Sequence, residues 1–346
     1  MLEGTMKTDD SRADGSIKDY SFFQCPGCGG DVRATSGGVT CEACGNSFPV
    51  TDGIPELYWA NDWGEDKSDV TQDVREFYED APFPNYDDFE SIDSLARKAG
   101  EGLFARLLDE QVPPGARVIE CGCGTGQLSI YLSIHNREVI GADLCMNSLR
   151  LGQKFAQTHD LDRVRFTQMN LFRPPFKSGS FHLVISNGVL HHTSDPKGGF
   201  QSIGRLVRPG GFILIGLYHY WGRLITDTRR QIFKHSGDRF KSLDPNLKNP
   251  NLSEAKKRAW FLDQYKHPHE SKHTIREAIG WLDESGFDFV RSIPSTHLGS
   301  AFTPQEKLFA KEPAAAWPEA LLSEMLMTAK GSREGGFFIV IAQKRG

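Results

Sequence analysis

The chain has 346 residues, 38% of them hydrophobic, with 40 Lys/Arg against 45 Asp/Glu and a net charge of −5. This apolar content excludes a disordered chain and suffices for one large domain with a small module attached. The mildly acidic balance gives nucleic acid no general attraction, and no apolar run reaches the ~18 residues of a membrane span.

Residues 1–20 are polar and acidic and are expected to form a disordered tail. The opening MLEGT reads as a vector remnant ahead of Met6, and no basic-then-apolar leader follows. Residues 21–60 carry Cys25-x2-Cys28-x12-Cys41-x2-Cys44, with Gly29 and Gly45 directly after the two pairs. Four thiolates at this spacing make a closed tetrahedral zinc ribbon, so the Zn2+ is expected to be structural. So small a module has almost no core, and the metal should supply most of its folding energy, on the order of 10 kcal/mol. Seven cysteines without a leader fit a reducing cytoplasm, where paired cysteines point to metal before disulfides. Residues 61–100 read as a linker with several aromatics, including Tyr78 and Tyr86. Residues 1–100 hold 21 acids and 8 bases, the wrong sign for a phosphate-binding module.

The segment SIDSLARKAGEGLFARLLDEQ then reads as helix, ended by Pro113-Pro114-Gly115. Next comes RVIECGCGTG (117–126): a short apolar strand, Glu120, and glycines at 122, 124 and 126 ahead of a helical pattern. Glycines let the backbone approach a ligand, and the following helix start offers N–H groups. The next strand ends at Asp143, placed to take the two ribose hydroxyls of a nucleoside. To this point the pattern suits NAD as well as S-adenosylmethionine.

Further on, RVRFTQMNLFRPPFKSGSFHLVISNGVLHHTSDP (163–196) and IGRLVRPGGFILIGLY (203–218) complete the series. With ECGCGTG and GAD they resemble the class I S-adenosylmethionine-dependent methyltransferases of the type 11 group, over about residues 100–218. The resemblance implies an α/β fold: a Rossmann-like seven-stranded sheet with helices on both faces, joined here to the small zinc ribbon. It implies that S-adenosyl-L-methionine lies over Gly122, Gly124 and Gly126, with Glu120 at the turn and amino group. Asp143 would hold the ribose, Leu144 and Leu171 would flank the adenine, and Asn187 would stand beside the methyl group. Asn170 stands where the family usually has Asp near the adenine amino group, and its side-chain oxygen can still accept that bond. His182 also replaces a usual Asp. The ribbon, with its NSFPVTDGIPELY close, resembles the small zinc-ribbon proteins that activate some methyltransferases. In the resembling enzymes the segment ahead of the first strand folds over the cofactor, which makes Tyr78, Tyr86 and Arg97 candidates there.

Past the fifth strand, residues 218–272 and 294–334 are insertions leaving the carboxyl edge of the sheet, where ligands bind. Both are expected to form a lid. The catalytic domain is taken as 101–346. Residues 220–276 carry 13 Lys/Arg and 6 Asp/Glu, a basic stretch that reads as a solvated helical face or as a site for an anionic substrate. His267, His269, Glu270 and His273 crowd the loop before a helix capped by Thr274. HESKH matches H-E-x-x-H, but Pro268 and the cap put it outside a helix, which excludes the zinc-protease geometry. Candidate catalytic residues are His267, His269 and Glu270, with His191 and Tyr218 nearby, for placing an acceptor and removing its proton. The expected function is methyl transfer to the oxygen or sulfur of a small molecule. RNA or protein methylation guided by the ribbon is one alternative, and a non-catalytic cofactor-binding module, suggested by Asn170 and His182, is another.

Overall fold

The computed structural model describes residues 19–63, 69–80, 86, 89, 91–237, 239–250, 252–334 and 336–346. The expected tail lies almost wholly outside these residues. The described strands are β1 (Val32–Thr35), β2 (Gly38–Cys41), β3 (Ser47–Phe48), β4 (Val50–Thr51), β5 (Ile54–Leu57) and β6 (Arg117–Cys121). They continue with β7 (Glu138–Asp143), β8 (Val164–Met169), β9 (Phe181–Asn187), β10 (Val207–Tyr218), β11 (Phe287–Ile293) and β12 (Phe337–Lys344). β1–β3 form a small sheet, and the rest form one nine-stranded sheet in the order β11-β12-β10-β9-β6-β7-β8-β5-β4.

The central strands are parallel, and β12 runs antiparallel between β10 and β11. Their near-continuous apolar runs, such as Val118-Ile119 and Ile213–Leu217, are buried on both faces, as a sheet covered by helices on both sides requires. From β6 the chain steps outward through β7 and β8, then returns to β9 and β10 on the other side. The crevice at that switch, beyond the carboxyl ends of β6 and β9, is where such sheets hold ligands. The long helix expected ahead of β6 breaks at Gly102 into Ile92–Glu101 and Leu103–Gln111.

The ribbon is continuous with the sheet. β5 pairs in parallel with β8, through Glu56 opposite Gln168 and Leu57 opposite Met169. Phe23 is fully buried against Phe176, with ring centroids 4.6 Å apart, and the ribbon residues Cys25, Val39, Cys41 and Phe48 share one apolar cluster with Ile119 and Val184. The expected boundary at residue 60 therefore marks no break in packing.

The two insertions differ. Residues 218–272 supply the helices Leu224–Ser236 and Glu254–Phe261, followed by a π-helical turn, Leu262–Lys266, over the crevice. Residues 294–334 do not reach it. Leu308 packs into the helix-covered core beside Leu107 and Leu108, Gln111 bonds the Leu308 amide, and Arg291 pairs with Glu306 and Glu312. That segment buttresses the opposite end of the sheet, a correction to its expected lid role. Among the described residues no helix is long and apolar enough to cross a membrane.

Candidate active site

A cavity of about 800 Å³ opens at the switch point. Its floor is the carboxyl edge of the sheet. Its roof is the Thr71–Asp80 helix, which contributes Val74 and Tyr78, and the π turn, which contributes Asp263 and Gln264.

Of the expected cofactor residues, Glu120, Gly122, Gly124, Asp143, Leu144, Asn170, Leu171 and Asn187 line this cavity. Gly126 does not. Its φ is +78°, and a Cβ there would fall 2.3 Å from the Phe166 ring, so it starts the helix and clears room for a core aromatic. Asp143 organises the turn: Oδ2 accepts the Gly124 N–H at 2.7 Å and Oδ1 the Cys145 N–H at 2.9 Å. Each oxygen keeps a lone pair for a ribose hydroxyl. Burial pushes the Asp143 carboxyl up from its ordinary value. Glu120, also buried, accepts the Ser129 hydroxyl at 2.5 Å, and burial raises its pKa to about 7. His182 accepts the Arg117 amide at Nδ1, 3.0 Å away, so the ring joins β9 to β6 through a bond that the usual Asp could also accept.

The expected catalytic residues separate. Tyr218 lines the cavity. His191 lies behind it, fully buried and 3.9 Å from the Tyr218 ring, with neither ring nitrogen partnered among the described residues. Burial holds it well below the usual histidine range, and it acts as packing. His267 stacks on His192 at 3.7 Å and is held neutral by burial, its pKa lowered to about 3. The His269 carbonyl accepts the His192 Nδ1–H at 3.0 Å. Glu270 is not a free base. Arg223 grips it through two bonds, of 3.0 and 2.7 Å, and Arg230 adds a third at 2.6 Å. Burial would raise its pKa, but the two guanidiniums outweigh burial and hold the carboxyl low. The HESKH loop is non-helical and holds no metal geometry. His273 bonds Ser271 and Glu277, and the Thr274 hydroxyl accepts the Glu277 amide.

The structure brings forward residues that sequence reasoning passed over. His192 lines the cavity, and its Nδ1–H bond leaves Nε2 as an acceptor. Asp263 accepts the Tyr78 hydroxyl at 3.2 Å and the Gln264 amide at 2.8 Å, while Gln264 also donates to the Tyr218 hydroxyl at 2.9 Å. The π turn places Asp263 and Gln264 side by side on the cavity, a device common at functional sites. In the sequence WFLDQYK reads as ordinary helix, so no signal announced it. Tyr78 reaches the cavity as expected. Tyr86 instead stacks on Phe155 and donates to the Thr125 carbonyl, and Arg97 is exposed.

At the far edge of the sheet the Sγ atoms of Cys25, Cys28, Cys41 and Cys44 lie within 4.8 Å of one another. A tetrahedron with Zn–S of about 2.3 Å has S···S edges near 3.8 Å; the Cys25–Cys44 and Cys28–Cys41 separations are 3.8 and 3.5 Å. The Gly30 and Cys44 amides donate to the sulfurs of Cys28 and Cys41. The donor set fits a thiophilic ion such as zinc with no open position.

A doubly wound sheet with an antiparallel penultimate strand, a glycine turn, and an acid ending the second strand defines a class I nucleoside-cofactor site. Residues 119–215 match the methyltransferase domain family. The chain belongs to the class I S-adenosylmethionine-dependent methyltransferases and carries, in addition, a four-cysteine cluster. It is similar to an uncharacterized protein of Synechococcus, 26% identical over 240 residues, covering 61% of this chain and 57% of that one. An uncharacterized methyltransferase of Mycobacterium tuberculosis is 32% identical over 114 residues, covering 32% of this chain and 56% of its own. The chain thus spans about half the length of the curated relatives it matches. In fold it resembles PKMT2 of Rickettsia typhi, solved with AdoHcy, with TM-score 0.50 and 16% identity over 70% of this chain and 54% of that one.

Proposed function

We propose that the protein methylates a small molecule on oxygen or sulfur, using S-adenosylmethionine. The observation that carries this reading is the single cavity of about 800 Å³ that joins the Gly122–Gly124 turn and Asp143 to Tyr78, His192, Tyr218 and Asp263. That volume is near the top of the ~300–1,000 Å³ range of small-ligand sites, enough for a nucleoside cofactor and a compact acceptor. The cofactor supplies an activated methyl group on a sulfonium. Asp143 and the glycine turn hold its ribose, and Glu120 its ammonium. Tyr78, Tyr218 and Asp263 orient the acceptor. His192, held neutral by burial at a pKa of about 4, takes the acceptor's proton at Nε2. The four thiolates hold zinc in a structural role.

The basic stretch 220–276 gives little support to an RNA substrate, because Arg223, Arg230 and Lys272 are engaged by Glu270 and Asp227. The test is S-adenosylhomocysteine release from a panel of phenols and thiols, set against tRNA, rRNA and lysate protein. Turnover with a panel member supports the reading, and turnover with RNA or protein alone overturns it.

A further inference from the structure

We infer that Asn170 couples the four-cysteine ribbon to the adenine end of the cavity, so that the ribbon positions the cofactor; this rests on the cofactor reading above. Asn170 is 2% exposed and follows directly on β8. Its Nδ2 donates to the Trp59 carbonyl at 2.9 Å and to Asn61 Oδ1 at 2.7 Å, while its Oδ1 accepts the Phe172 amide at 3.1 Å. The amide orientation is dictated by these partners, since a main-chain N–H must meet oxygen and a main-chain carbonyl must meet N–H. Both amide hydrogens are thus committed to the segment leaving the ribbon. One lone pair of Oδ1 remains for a donor in the cavity that Asn170 lines.

Trp59 is in turn seated on the ribbon. A Cβ at Gly27, inside the Cys25–Cys28 pair, would stand 3.0 Å from the indole, and Phe48 meets the same ring edge-on. The backbone takes a parallel route, because Leu57 of β5 is in register with Met169, next to Asn170. The family's usual Asp could accept from Phe172 and from an adenine amino group. It would also set a carboxylate oxygen against two acceptors, the Trp59 carbonyl and Asn61 Oδ1. Asn is the residue that serves the cavity with its oxygen and the ribbon exit with its nitrogen.

The test is calorimetry on the full chain with S-adenosylhomocysteine and with S-inosylhomocysteine, which lacks the adenine amino group. Asn61→Ala, which touches only the ribbon side, should weaken S-adenosylhomocysteine roughly three- to tenfold, as expected for one hydrogen bond. Asn170→Ala should weaken it at least as much and erase the preference over the inosyl compound. The double variant should lose little more than Asn170→Ala alone. Asn170→Asp, which keeps the acceptor but loses both donors, should also bind less tightly. Thermal unfolding and zinc content of each variant establish that it is folded. Additive losses, an unaffected Asn61→Ala, or wild-type affinity in Asn170→Asp would each refute the coupling. Asp143→Ala separates the two readings. If it weakens binding while the Asn variants do not, the coupling fails alone; if none of the three changes affinity, the cofactor reading fails as well.

Discussion

Asp143 carries two tasks in one carboxylate. It accepts two backbone amides that shape the glycine turn, and it offers its remaining lone pairs to the ribose. Asp143→Ala should therefore cost about 1.5–3 kcal/mol of S-adenosylhomocysteine affinity, read by calorimetry. Glu120 gives the site a pH dependence. Burial raises its pKa to about 7, so below neutrality it holds a proton and cannot pair with the cofactor's ammonium. Affinity should be highest above pH 7 and fall as pH drops through it, and Glu120→Gln should flatten that profile. In the ligand-free protein the sign is opposite. A carboxyl whose folded pKa is raised ionises first in the unfolded chain, so its contribution to stability is present below about pH 4 and is lost as pH rises towards 7. His192 is the proton acceptor of the proposed reaction. His192→Ala should lower turnover of a phenolic acceptor by roughly 10²–10⁴ and leave S-adenosylhomocysteine affinity near wild type. For a thiol acceptor the loss should shrink as pH approaches about 8.5, where the thiol ionises unaided.

Among the elements, the lid insertion is held by charge as well as by its small apolar cluster of Phe233, Phe261 and Tyr265. Arg223, 0% exposed, lies 3.9 Å above the Tyr218 ring and binds both Gln264 and Glu270, so one side chain ties the π turn, the HESKH loop and the end of β10 together. Removing one partner of such a buried set leaves an uncompensated charge, typically costing about 3–5 kcal/mol. Glu270→Ala should lower the melting temperature and loosen the lid, while Glu270→Gln, which keeps acceptor geometry at one oxygen, should lose less. The strand–glycine–helix unit, the acid ending β7, the parallel run through β10 and the antiparallel β12 were legible in sequence, because each depends on residues close along the chain. The lid chemistry was not. Glu270, a candidate base when read in its loop, is an anchor because Arg223 and Arg230 arrive from a helix some 40 positions earlier, out of reach of any local pattern.

For the whole molecule, the ribbon and the catalytic sheet share strands and a common apolar cluster. Purified protein should carry about one zinc per chain by metal analysis. Chelation or Cys25→Ser should lower the stability of the entire chain in one cooperative unfolding transition, monitored by calorimetry. Two separated transitions, with the cofactor site intact after the first, would show the ribbon to be independent. What the sequence determined by itself is the set of local devices: a four-thiolate site from the cysteine spacing, a nucleoside crevice from the glycines and Asp143, and a capped helix from Thr274. Each works through neighbours a few residues apart, whose geometry the chain itself imposes. What only the tertiary structure decided is how those devices meet. β5 enters the sheet beside β8, Asn170 spends its amide on Trp59 and Asn61, and Asp263 reaches the cavity on a π turn. These are contacts between segments about 100 to nearly 200 residues apart, selected by which faces bury together, and that energy appears only when the chain is packed.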